Sequence, residues 1–322
     1  MRRPHTGFTL VELIVTISII GILVAIVVPS ISGAQRRARE VAERKTLQDI
    51  QTSWSTWAAG HNGANPIPGL ERRGKVDMDG DGDNSGANDR FISGRGQEQS
   101  ELNDHAAMLS MCIMNNLLVP DQLITPNEVG SPYAYDSYNF NVFGGDAVGG
   151  ADGEIERWDP ALRNDIEGTA SGICHNSYAI MPLAGERRRD HWDRAGSSAH
   201  GQLSTRGPRD GDETLLLDSN TARLMARPGA WRGFVVYSDG HSDSLDGFYP
   251  EYANFKRIID GIERQFPDNI FNPDQDAVGV FNNDTSKLGG DIYLTHIDHQ
   301  GIDANSISDV NPYDVDFTSL HD

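Results

Sequence analysis

The segment Phe8 to Ile31 constrains this chain more than any other: 24 residues without a charge except Glu12. As a helix rising 1.5 Å per residue it covers about 36 Å, enough to cross the hydrocarbon core of a bilayer with some tilt. A carboxylate that deep costs about 3 kcal/mol even on lenient insertion scales, so Glu12 calls for a partner. The polar residues before it, Met1 to His5 with Arg2 and Arg3, are too hydrophilic to insert. An N-terminal apolar stretch behind arginines is most often a cleaved secretory signal or a plain anchor. Here the run is too long for a signal-peptide core, and no small-residue cleavage site follows it.

The stretch Gly7-Phe8-Thr9-Leu10-Val11-Glu12-Leu13-Ile14-Val15 resembles the class III signal of type IV prepilins and type II secretion pseudopilins. That resemblance covers about the first 35 residues. It implies cleavage after Gly7 by a prepilin peptidase, Phe8 as the methylated first residue, and Glu12 as the acid that meets a neighbour's N-terminus during assembly. The new α-amino group of Phe8 would supply the positive charge that Glu12 lacks. Pro29 stands where such helices commonly kink. A second stretch, Gly233 to His241 with Asp239-Gly240, resembles the C-terminal motif of large pilin-like proteins with an H-x9-DG domain. The position of that motif's histidine is held by Gly229. His200 precedes Asp210-Gly211 at the right spacing, without the apolar strand between them.

The body that remains is large enough for one or two hydrophobic cores. With 27 basic and 47 acidic residues the net charge is −20, and −22 without Arg2 and Arg3. Such a surface repels nucleic acid and anionic lipid, and favours extracytoplasmic exposure and cation binding. Cys112 and Cys174 are the two cysteines. In an oxidising compartment they are expected to be disulfide-bonded, worth about 4 kcal/mol in the chain-entropy treatment; the alternative is two buried reduced thiols.

Beyond Pro29 the helix is expected to continue as an amphipathic one to about Ala59. Leu47, Ile50, Trp54 and Trp57 recur at helical spacing and form one stripe. Arg36, Arg37, Arg39, Glu40, Glu43, Arg44, Lys45 and Asp49 face the other way, as a filament-internal or solvated face. Gly60 to Gly69 is a linker rich in Gly, Pro and Asn. A helix is expected near Ser100–Leu118, with Leu102, Ala106, Leu109, Ile113 and Leu117 on one face. Asp159-Pro160 offers another helix start. Ser177 to Leu183, Thr214 to Leu217, Gly233 to Tyr237 and Ile292-Tyr293-Leu294 read as strands, and Ser238 to His241 as a hairpin turn. Tyr252, Phe255, Ile258, Ile259, Ile262 and Phe266 fit one face of a further helix. Asn272 to Asp322 carries 10 acids and one Lys, a composition that suits a loose tail.

The fold class is therefore α+β: a long N-terminal helix, transmembrane then amphipathic, packed against an antiparallel sheet head with extra helices and loops. Residues 1–7 form the leader, 8–59 the helix (8–31 in the membrane) and 60–322 the head.

One constellation carries metal chemistry. Asp77, Asp79, Asp81 and Asp83 alternate with Gly82 after the third, as in the first half of an EF-hand loop; the bidentate Glu of the full loop is absent, with Asn88 in its place and Asp89 next. Alternation on a tightly turning backbone aims several oxygens at one hard cation, so calcium is the expected cofactor, against a plain acidic loop as the alternative. The pseudopilin resemblance points the same way, since major pseudopilins carry calcium in the head. His191 with Asp193, Asp239 with His241 and Asp243, and His296 with Asp298 and His299 lack zinc-motif spacing and read as surface or turn residues. Arg187-Arg188-Arg189 reads as a solvated turn.

The function expected is a structural, non-enzymatic subunit of a type IV pilus-like or type II secretion pseudopilus filament. It would sit in the inner membrane with its head in the periplasm or on an extracellular filament. Its partners would be other pilin-like subunits, the prepilin peptidase and the assembly machinery. The alternative is a membrane-tethered binding or enzymatic head that uses a pilin-type export signal.

Overall fold

The computed structural model describes residues 9–81, 89–90, 92, 94–142, 157–167, 172–193, 195–198, 200–208, 211–216, 231–250, 254–259, 262–267, 269–271 and 294–298. The chain divides into two compact units, Met1–Ala42 and Glu43–Asp322, with the boundary inside one helix, α1, which runs Leu10–Gly60. In the first unit the apolar side chains from Leu10 to Ile31 that are described are exposed, and the helix is long and apolar enough to cross a membrane. Its hydroxyls are turned inward: Thr16 Oγ1 donates to Leu13 O at 2.8 Å and Ser18 Oγ to Ile14 O at 2.7 Å. That arrangement satisfies them without water, as lipid requires.

In the second unit α1 buries Leu47, Ile50, Trp54 and Trp57, the stripe expected from their spacing. Leu47, Ile50 and Trp54 join one core with Met108, Leu109 and Ile113 and with the strands described below. Trp54 meets Trp192 edge-on, ring centroids 5.0 Å apart. The helix ends where Asn62 and Gly63 take left-handed backbone (φ 57° and 84°) and Gly63 N caps Ala58 O at 2.8 Å. A short helix, α2 (Pro68–Glu71), follows.

The expected 100–118 helix is divided in two. A 3-10 turn covers Ser100–Leu102, and α3 runs His105–Met114, started by Asp104, whose side chain accepts from Ala107 N at 2.7 Å. Rather than one apolar face, α3 buries every residue from His105 to Ile113. Asp159-Pro160 starts no helix. Asp159 is buried and accepts from Asn139 N and Ala161 N, at 2.8 and 2.9 Å.

The main sheet is antiparallel in the order β1-β2-β3-β4: β1 Tyr178–Ile180, β2 Gly201–Thr205, β3 Gly233–Tyr237 and β4 Ser242–Leu245. Register pairs Ile180 with Leu203, Ser204 with Val235 and Val236 with Ser242, with an irregularity between Gly201 and Leu203. The β3–β4 hairpin turns where the sequence places it, with Gly240 at φ 87° and its N–H bonded to Tyr237 O at 2.8 Å. Of the expected strand Thr214 to Leu217, the described residues form none: Glu213–Leu215 is a 3-10 turn and Leu216 plugs into the core, while Leu217 lies outside the described residues. The helix expected over 252–266 is a hairpin instead, β5 Asn254–Ile259 with β6 Ile262–Pro267. Two residues, Asp260-Gly261, separate those strands. An Asp-Gly pair between strand-length runs is a hairpin signal that overrides an approximate 3.6-residue match. Of the Ile292 to Leu294 strand, Leu294 is described and buried, and Thr295 bridges Ile180 at the β1 edge. Most of the acidic 272–322 segment lies outside the described residues.

Candidate functional site

At the N-terminal end, Gly7 and Phe8 lie outside the described residues, while Glu12 is described. Thr9 N and Thr9 Oγ1 both donate to Glu12 Oε2, at 2.9 and 2.7 Å, and Glu12 N donates back to Thr9 Oγ1 at 3.2 Å. This is a capping box: each residue satisfies an N–H that the first helical turn leaves open. The Thr9-x-x-Glu12 spacing is legible in the sequence but is hidden inside an apolar run. The consequence is electrostatic as well as geometric. The carboxylate is held at the positive end of α1, beside the residue that follows Phe8.

The acidic loop is built on a two-rung neck. Gly74 N donates to Gln97 O at 2.9 Å, and Val76 and Arg90 exchange backbone bonds at 2.9 and 3.4 Å. Gly96 makes the neck possible: its φ is 89°, and a Cβ there would lie 2.1 Å from Gly74 O. Above the neck, Asp77 Oδ1 accepts from Asp79 N and Gly80 N, at 3.2 and 2.6 Å, and Asp89 Oδ1 accepts from Met78 N at 3.0 Å. Among the described residues, Asp77, Asp79 and Asp89 are the one group of three or more His, Cys, Asp or Glu whose candidate ligand atoms all lie within 4.8 Å of one another. Asp89 is buried, Asp77 half-buried and Asp79 exposed. Asp81 is exposed and not part of the trio. Asp83 lies outside the described residues. The sequence series of alternating acids is thus narrowed: two of its members and the distant Asp89 converge because the neck brings residues 76 and 90 together. An all-carboxylate set suits a hard cation such as calcium rather than zinc.

Cys112 and Cys174 are two separate free thiols, both buried, which corrects the expected disulfide. Cys112 belongs to the main core and Cys174 packs with Ile166. Cys174 Sγ donates to Asn176 O at 3.1 Å. Burial pushes the Cys112 thiol far up and the Cys174 thiol to about 12, so neither is a ready nucleophile.

The His/Asp groups separate by environment. His241 is hydrogen-bonded to Asp239 through Nδ1 at 2.5 Å and lies exposed in the β3–β4 turn, a turn-stabilising role. His191 is instead buried and stacked on His200, centroids 3.6 Å apart, and burial holds it down to about 4. His296 and Asp298 are buried as well; His299 lies outside the described residues.

Two charged side chains expected on solvated faces are structural. Arg188, 2% exposed, grips Glu98 with its two terminal guanidinium nitrogens, at 2.5 and 2.9 Å, while its Nε donates to Asp193 Oδ1 at 3.3 Å. Glu43, 1% exposed, turns inward from α1 to Thr125, Asn127 and Thr205; burial raises its carboxyl, and those hydrogen bonds and the Arg206 charge offset part of the rise. Beside it Arg206 forms a bidentate pair with Glu128, at 2.6 and 3.0 Å. Arg44 leaves the helix to bond Ser242 Oγ and O, at 2.6 and 2.8 Å. Lys45 and Asp49 form an exposed pair along the helix.

Residues 2–28 match the prokaryotic N-terminal methylation motif. That motif is the prepilin-type signal of type IV pilins and pseudopilins. The chain therefore carries, around the Thr9–Glu12 box, the mark of pilin-like proteins processed by prepilin peptidase. Comparison with curated proteins and with solved structures finds no match to this chain.

Proposed function

We propose that this chain is a structural subunit of a type IV pilus-like or type II secretion pseudopilus filament, acting by assembly rather than by catalysis. The observation that carries the reading is the signal at residues 2–28 continuing into a single helix, Leu10–Gly60, whose far half is part of a folded head. Before assembly the first half lies in the inner membrane and the head stands outside it. On assembly the apolar helices leave the lipid and pack together. Glu12 then exchanges the Thr9 donors for the α-amine of a neighbouring subunit's first residue, a charge-assisted contact that replaces neutral ones.

The test has two parts. Intact mass of membrane-extracted protein should show a chain beginning at Phe8. Glu12→Ala should insert in the membrane as well as the parent, because a buried carboxylate is removed, yet give a strongly reduced filament yield at equal expression. An uncleaved start at Met1, or undiminished filaments from the variant, overturns the reading.

The same proposal extends to the acidic loop, read as a calcium site held by Asp77, Asp79 and Asp89 in the head. The support is the convergence of three carboxylates on a neck fixed by backbone pairing, with two of them already oriented by backbone N–H groups.

A further inference from the structure

Residues 294–298 come late in the chain, are buried throughout, and are sewn into the head at three places. Leu294 N donates to Ile270 O at 2.8 Å, and Thr295 exchanges two backbone bonds with Ile180 on the β1 edge, at 2.8 and 3.0 Å. Farther on, His105 grips Ile297 twice. His105 N donates to Ile297 O at 3.2 Å, and Ile297 N donates to the imidazole Nδ1 at 3.0 Å. The ring proton is therefore on Nε2, which lies 3.1 Å from Met181 O. Opposite, Asn164 N donates to Asp298 Oδ1 at 2.8 Å and Asn164 Nδ2 to Ile297 O at 3.3 Å. The residue beside Asn164 is held by a second imidazole used the same way: Arg163 N donates to His175 Nδ1 at 2.9 Å, and His175 N returns a bond to Arg163 O at 2.8 Å.

Each ring accepts a backbone N–H at Nδ1, and a protonated imidazole has no acceptor. Protonation of either ring would turn two donors against each other in a buried place, the costliest form of a lost hydrogen bond. We propose that residues 294–298 form a releasable strap, closed only while His105 and His175 are both unprotonated at Nδ1, so that mild acid opens this junction while the rest of the head stays folded.

The titratable and charged neighbours are Asp104 at the start of α3, His296 and Asp298 on the strap, and Arg163, Asp159 and the rings of Tyr133 and Tyr135 beside His175. Burial holds His105 down to about 3 and is the main cause that holds His175 down to about 4. A depressed imidazole stabilises the closed form above its ordinary value and loses that contribution as pH falls below about 6.5. Asp104 works in the opposite sense. It is wholly buried, its Oδ2 has no hydrogen-bond partner, and burial, with the Asp298 charge adding, pushes it up to about 8. Its proton therefore favours the closed form over the window from about pH 4 to 8. Opening near pH 5 takes up two imidazole protons and releases one carboxyl proton. The net uptake of one makes opening about tenfold more favourable per unit of pH below about 6.

The experiment is amide exchange on the full chain in detergent, corrected for intrinsic rates and read at Ile297 and at Leu203 and Val235 of the sheet. From pH 6.5 to 4.5, protection at Ile297 should fall about 30-fold while the sheet amides hold theirs. Asp104→Asn keeps a cap acceptor and removes the opposing proton, so the loss should steepen to about 100-fold per pH unit. His175→Asn leaves a neutral oxygen near the Nδ1 position and should flatten the profile. If that variant fails to fold, the parent and Asp104→Asn profiles decide. Protection at Ile297 that is independent of pH, or that falls in step with Leu203, overturns the proposal.

Discussion

The acidic loop allows its calcium reading to be tested with a number. Asp77 Oδ1 and Asp89 Oδ1 are already engaged by backbone N–H groups, which leaves each carboxylate oriented before any cation arrives. Asp79 is exposed, and a site open on one side belongs with the extracellular calcium modules, whose dissociation constants are about 10⁻⁴ to 10⁻³ M. At about 10 mM calcium the folded chain then gains about 1.4 to 2.7 kcal/mol by mass action. For a body of this size each kcal/mol moves the thermal midpoint by about 2 to 4 °C, so the expected rise is about 3 to 11 °C. The assay is a melt of the detergent-solubilised chain in calcium, in magnesium and in chelator. Magnesium, which keeps its waters, should give the smaller shift. Asp79→Ala should remove the calcium-dependent part and leave the chelator midpoint nearly unchanged, because its exposed side chain is not needed by the neck. Asp81→Ala should keep most of the calcium shift, since Asp81 is outside the trio. Identical midpoints in calcium and chelator, together with no heat on calorimetric titration, would refute the reasoning.

Two further outcomes follow from the buried groups. Glu98→Ala removes the bidentate partner of the buried Arg188 and leaves its Nε with Asp193 alone, at 3.3 Å, so it should cost about 3 kcal/mol in urea unfolding; a loss under about 1 kcal/mol would show that the pair is solvated after all. Cys112 and Cys174 should both react with a maleimide after denaturation without reductant and neither in the native chain, whereas a single population lacking free thiols would restore the disulfide.

Elements whose physics is local could be read from the residues alone. The 8–31 run needs only length and apolarity to imply a membrane-spanning helix, and Leu47, Ile50, Trp54 and Trp57 need only their spacing to predict a buried stripe. The β3–β4 hairpin was equally legible, because Ser238-Asp239-Gly240 permits the left-handed turn that the strands require. The 254–267 hairpin is not legible in the same way, because its apolar residues satisfy a helical period and a strand pairing about equally well. Only cross-strand register decides between them.

What the tertiary structure alone decided concerns charge. Glu43 and Arg188 are written in runs that look solvated, and they are buried because partners arrive from far along the chain: Thr125 and Thr205 for one, Glu98 for the other. Asp89 joins Asp77 and Asp79 for the same reason, through backbone pairing of Val76 with Arg90. His105 and His175 become acceptors only because Ile297 and Arg163 are folded against them. A sequence displays which side chains carry charge. Whether water or another chain segment satisfies that charge depends on contacts between distant residues, and those exist only once the core has closed.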